Sequence, residues 1–237
     1  MLEGKHLGSN SPSDMRSTNS NVAIAYRKLK QAILENQLAP GAQILEQEAA
    51  TQLEMSRTPV REAMLMLQKD GLVEMRPRQG MRVLPVTVQD ISEIYEILEV
   101  IESLAVRKLT EKPAKSRELQ TLEDSVVLMD LSLERGDLEV WAAADKKFHE
   151  NVIDFSGNGH LKKVFVQLWD RSQRARNLLL KKRGMPANSS RDHWDLLEII
   201  RAGRVEDAVE MQRNLRITAA EELRKVILEV MSSTVLS

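Results

Sequence analysis

Residues 44 to 83, ILEQEAATQLEMSRTPVREAMLMLQKDGLVEMRPRQGMRV, constrain the fold more than any other part of the chain. Residues 46–53 have the composition of a short helix, and Glu54-Met55 leaves room for only a tight connection to a second one. Ser56 or Thr58 can cap that second helix, Pro59 falls in its first turn where a missing N–H is tolerated, and Val60, Met64 and Leu67 continue at helical spacing. Residues 71–75 and 81–84 then predict two strands, joined by the Pro- and Gly-containing turn 76–80. Two helices at a tight turn followed by a basic hairpin predict a winged helix-turn-helix.

Charge on this stretch points to its chemistry. Arg57 and Arg61 stand four residues apart, so their side chains leave one face of the second helix near its N-terminal end. In helix-turn-helix proteins that end enters the major groove, where the planar arginine fork can bond guanine O6 and N7 together. Ser56 and Thr58 can reach phosphates or base edges from the same end. Two arginines at this spacing can equally be solvated surface residues.

The formal net charge of -1 for all 237 residues would by itself argue against nucleic acid. The balance is uneven, however: residues 1 to 88 hold 11 Lys and Arg against 9 Asp and Glu, and the remainder 23 against 26. Arg57, Arg61, Lys69, Arg76, Arg78 and Arg82 gather on the predicted reading surface. With no cysteine there is neither a disulfide framework nor a thiolate metal site. No window is long and apolar enough for a membrane span or a secretion signal, so a cytoplasmic protein without a membrane partner is expected.

The helical stretch from residue 22 to 36, the LAPGAQI turn, SRTPVREA, GLV and RQGMRV agree in order and spacing with one family. Residues 21–85 resemble the winged-helix domain of GntR-type bacterial transcription regulators. The resemblance implies double-stranded operator DNA as a partner. It also implies DNA contacts from Ser56, Arg57, Thr58, Arg61 and Gly80, with Arg78 beside them on the wing. A position that is often a phosphate-binding arginine in that family is Gln47 here, which can bond but brings no charge.

Residues 1–20 are rich in Ser, Asn, Gly and Pro without apolar periodicity and are expected as a disordered tail. Residues 86–89 are expected as a linker and hinge. From residue 90 to 231 the pattern is helical, with apolar stripes at about 91–112, 117–133, 138–155, 161–180, 192–200 and 205–230 and Asp90 as the expected cap of the first. Strand signals are absent, so the fold expected is mostly α: the winged helix-turn-helix with its small β wing, then an all-α antiparallel bundle of about six helices.

Within that bundle Asp145 and His149 lie at i and i+4 on one helix face, and His193, opening a later helix, can meet them across the interior. Such an oxygen-plus-nitrogen set suits Zn, Ni or Mn. The same residues also read as a carboxylate bonding a neighbouring helix and a satisfied core histidine. DKKFHENVIDFSGNGHL and RDHWDLLEIIRAG resemble the FCD-type effector domain of the FadR-like branch of the regulator family. That resemblance implies Asp145, His149 and His193 as ligands of one divalent metal, with a fourth ligand on the last helix. Counting there reaches Leu215, with Asn214 beside it as a weaker oxygen donor. Where relatives carry a carboxylate-binding arginine the chain has Leu98, so Arg171, Arg174 or Arg176 would have to serve an effector pocket instead.

Together these readings describe a homodimeric transcription regulator, a repressor, binding a short inverted repeat and answering to a small-molecule effector. A metal-dependent enzyme using Asp145, His149 and His193 is the contending class, and a DNA-binding scaffold without ligand response is a third.

Overall fold

A computed structural model describes residues 12–112, 116–183 and 189–235. The chain divides between Pro85 and Val86 into two compact units.

The first unit contains α1 (Pro12–Leu34), β1 (Gln43–Ile44), α2 (Glu46–Leu53), α3 (Arg57–Lys69), β2 (Val73–Arg76) and β3 (Gly80–Val83). The helix α2 ends on Glu54, whose left-handed backbone (φ 55°, ψ 43°) turns the chain within two residues into α3. Pro59, Val60, Ala63, Met64 and Leu67 form the buried face of α3. They pack with Ala25, Leu29 and Ile33 of α1 and with Val73, Met81 and Val83 of the sheet. Tyr26 of α1 also donates to Asp70 at the end of α3.

The sheet order is β1-β3-β2, antiparallel throughout. The sequence leads to the β2–β3 hairpin but not to β1. Two residues are too few to show a period of two, and β1 exists only because Gln43 and Ile44 pair with Arg82 and Met81 far along the chain. The start of α1 also departs from expectation: residues 12–20, expected in a mobile tail, continue the helix. Pro12 at the first helical position and Asp14 in the first turn are residue types that suit a helix start. The rest of the expected tail lies outside the described residues.

The second unit has α4 (Val88–Thr110), α5 (Ser116–Arg135), α6 (Leu138–Phe155), α7 (Gly159–Arg183), α8 (Ser189–Arg201) and α9 (Val205–Val235). These are the six expected helices, with α9 running past the expected end. One continuous core of Leu, Ile, Val, Ala and Met with Phe148, Phe165, Trp141 and Trp169 holds them together. The expected linker 86–89 is shortened, because Thr87 rather than Asp90 caps α4. The Thr87 hydroxyl accepts from the Asp90 amide at 3.0 Å, and the Asp90 carboxylate accepts from the Thr87 amide at 3.0 Å. This reciprocal box satisfies two helix-end N–H groups and draws Val88 and Gln89 into the helix. No helix among the described residues is long and apolar enough to cross a membrane.

Candidate functional site

In the first unit the exposed face of α3 carries the expected reading residues. The side chains of Arg57 and Arg61 are 65% and 64% exposed, while the opposite face of the helix is buried. Ser56 and Thr58 are exposed beside them, and Gln47 is exposed on α2. Glu46 lies 3.7 Å from Arg57 and 3.8 Å from Arg61, so one half-buried carboxylate orients both guanidinium groups. These pairs are long and solvated, so either arginine can leave for a stronger anion with little loss.

Gly80 is buried, and a Cβ there would lie 2.1 Å from the Ile44 carbonyl oxygen. Its φ of +72° also favours glycine. Close approach to β1 therefore requires a glycine here, and Arg78 at the tip, with φ 62°, is exposed together with Pro77 and Gln79. Arg76 is tied to Glu74, with its Nε donating at 2.8 Å.

In the second unit five helices converge on a buried polar cluster. Asp145 and His149 come from α6 and His193 from α8, and they are 3%, 0% and 3% exposed. His149 Nε2 is 3.3 Å from His193 Nε2 and 3.6 Å from Asp145 Oδ1, and the last two atoms are 3.4 Å apart. Tetrahedral ligands about 2.1 Å from one ion are spaced by about 3.4 Å. The three donor atoms therefore fit one face of a divalent-cation site. His149 Nδ1 points the other way, 2.9 Å from Glu102 Oε2 on α4, a close approach without hydrogen-bond geometry.

Two arginines complete the cluster. Arg176 of α7 donates to Asp145 Oδ2 and, at 2.9 Å, to the Tyr95 hydroxyl, while its guanidinium stacks 4.0 Å from the Trp169 ring. Arg216 of α9 reaches His149 Nε2 with Nη2 at 2.8 Å. Gln212, one turn earlier, donates to Glu102 at 2.8 Å. Burial pushes the carboxyls of Asp145 and Glu102 upward. The charges and contacts around them, led by Arg176 at Asp145 and by Arg216 at Glu102 and joined by the neighbouring histidines, together outweigh it and hold both below the usual carboxylate range. Arg176 is raised: burial lowers it, but Tyr95 and Asp145 more than offset that.

The cluster corrects several expectations. Asn214 is exposed and takes no part, because residues 214 and 216 lie about 200° apart around a helix. The inward positions of α9 are Gln212 and Arg216. Arg171 sits at the surface, bonded to Asp90 at 3.1 Å, and so is outside the cluster. Arg174 is buried but is two residues, again about 200°, from the arginine that does reach it, Arg176. Leu98 is fully buried in the core. Glu102, Gln212 and Arg216 were missed, although each is a polar residue at a position where the helical stripe calls for an apolar one. His160 is exposed.

Residues 22–83 match the family described as bacterial regulatory proteins, gntR family, and residues 93–216 match the FCD domain. An uncharacterized HTH-type transcriptional regulator in the TAR-I ttuE-ttuC' intergenic region of Agrobacterium vitis is 42% identical over 59% of this chain and 83% of its own length. The HTH-type transcriptional repressor RspR of Escherichia coli is 30% identical over 53% of this chain and 54% of its own. Among solved structures, a GntR transcriptional regulator from Rhodococcus sp. RHA1 superposes with a TM-score of 0.74 at 22% identity, over 86% of this chain and 97% of that one. A metal-free FCD domain of another regulator superposes with a TM-score of 0.53 at 23% identity, over 61% and 99%. At these identities the structural likeness speaks for the fold. The family and sequence matches are transcription regulators rather than enzymes.

Proposed function

This chain belongs to the GntR family of bacterial transcription regulators and carries an FCD domain, and from that membership we propose that it is a dimeric repressor whose operator affinity answers to a small carboxylate. The observation that carries the DNA half is the placement of Arg57 and Arg61, both more than half exposed on the face of α3 opposite its core. Ser56, Thr58 and Gln47 flank them, and Arg78 extends the positive surface along the wing. Two such heads related by two-fold symmetry fit an inverted repeat. On α4, Ile97, Val100 and Leu104 are 45%, 63% and 40% exposed and share one helix face, a stripe suited to cover by a second copy. The repressor assignment follows the E. coli relative's name and is this chain's by similarity alone.

The effector half rests on the buried cluster. Asp145, His149 and His193 would hold a divalent ion of the Zn, Ni or Mn class, which when bound supplies open coordination positions for a carboxylate oxygen. Arg176 fixes the Asp145 carboxylate and keeps it ionised, and Glu102 lies beside His149 Nδ1 at 2.9 Å. An effector that binds one arrangement of the dimer better than another shifts operator affinity by that difference and no more. The test is selection from a random duplex pool by the full chain, followed by anisotropy with Arg57→Ala/Arg61→Ala. An enriched inverted repeat, bound about 100-fold or more weakly by the double variant, is expected from base contacts of about 1–3 kcal/mol each. A pool without a repeat, or a variant that binds as well as wild type, would reject the reading.

A further inference from the structure

The α9 helix offers the cluster an arginine where a further ligand could stand. Arg216 is 4% exposed, and its Nη2 lies 2.8 Å from His149 Nε2. A guanidinium has only donors, so this contact directs an N–H at the lone pair that His149 would give an ion. Meanwhile Arg216 Nε and Nη1 have no hydrogen-bond partner among the described residues, and Nη1 is 3.6 Å from Glu102 Oε1, beyond hydrogen-bond reach. Leaving charged N–H groups buried and unmatched is costly, and the acceptor that suits them is an anion.

Charge decides how an ion could enter. The carboxylates of Asp145 and Glu102 balance the guanidinium groups of Arg176 and Arg216, and all four are buried or nearly so. A divalent cation arriving by itself would leave two uncompensated charges in this interior and would have to displace Arg216 from His149. An anion with two carboxylates removes both obstacles. One carboxylate faces the ion, and the other draws the Arg216 fork away from the histidine.

We propose that Arg216 makes divalent-ion binding at Asp145, His149 and His193 conditional on a small dicarboxylate, so that ion and dianion bind together and neither is held firmly without the other. This rests on the reading of the cluster as the effector site. Because coupling is reciprocal, the ion tightens the dicarboxylate by the same factor as the dicarboxylate tightens the ion.

The experiment uses the full chain without a histidine tag, stripped by chelator. Zn2+ is titrated against a competing chromogenic chelator with and without succinate, and succinate is titrated calorimetrically with and without Zn2+. Wild type is expected to bind Zn2+ about tenfold or more tightly with succinate, and succinate more tightly with Zn2+ by an equal factor. Arg216→His exchanges the guanidinium for an imidazole and is expected to bind Zn2+ firmly without succinate, losing the coupling. Arg216→Ala, which removes the charge without adding a ligand, is expected to lose the coupling as well. Wild type that binds Zn2+ equally tightly with and without succinate overturns the proposal and leaves the effector site standing. Wild type that takes neither Zn2+ nor succinate in any combination overturns both.

Discussion

Gly80 shows how backbone clearance by itself can require a glycine. Resemblance implies that it contacts DNA, and independently of that a Cβ here would meet the Ile44 carbonyl oxygen, at a φ of +72°. Gly80→Ala therefore adds both a backbone clash and a strained conformation. It is expected to lower stability of the first unit by about 1–3 kcal/mol, read by urea unfolding, with wing-dependent DNA binding falling in proportion to folded protein. Arg176 is the complementary case, a charge whose loss leaves another buried. Arg176→Ala strands Asp145, which is 3% exposed, without its main counter-charge. A loss of about 3–5 kcal/mol from the second unit is expected by thermal or urea unfolding. Arg176→Lys restores charge but not the bond to Tyr95 and should recover only part of it.

At the scale of elements, local signals placed the ends of α2, α5 and α6 within two residues, whereas α4, α7, α8 and α9 miss by three to five at one end and α1 by ten at its start. The boundaries of α2 and α6 follow directly from their composition and apolar spacing, at Glu46–Leu53 and Leu138–Phe155. Signals that work across a gap were harder to read. Asp90 is a good capping residue by type, but Thr87 three residues earlier makes the box with it, and only the backbone geometry chooses between them. Removing that cap with Thr87→Ala is expected to cost about 1 kcal/mol, read as a lower urea midpoint for the second unit at unchanged slope. The expected hinge is shorter for the same reason, since the box holds Val88 and Gln89 in α4.

At the scale of the whole molecule, the second unit joins its helices around an ionised cluster as well as an apolar core, and pH reaches it from the acid side. Asp145 and Glu102 are held below their ordinary ranges in the folded chain because Arg176, Arg216 and the neighbouring histidines together overcome the opposing effect of burial. Their stabilisation is thus fully present above the unfolded values of about 3.9 and 4.3 and fades as pH falls through that region. Stability of the second unit, from urea midpoints taken across pH, should be flat near neutrality and drop below about pH 4; no drop there would mean the carboxylates are not paired in solution. The sequence by itself determined the two-unit plan, the winged helix-turn-helix and the six-helix bundle, because helical periodicity, capping residues and turn chemistry act over a few neighbouring residues. It also determined that Asp145 and His149 share a face, since i and i+4 on one helix must. Tertiary structure alone decided that β1 exists, that Gly80 is a packing residue, and that Arg216 and Glu102 rather than Asn214 meet the histidines. Those outcomes depend on the rotation of α4 and α9 against α6 and on contacts between residues tens of positions apart, which no local pattern specifies.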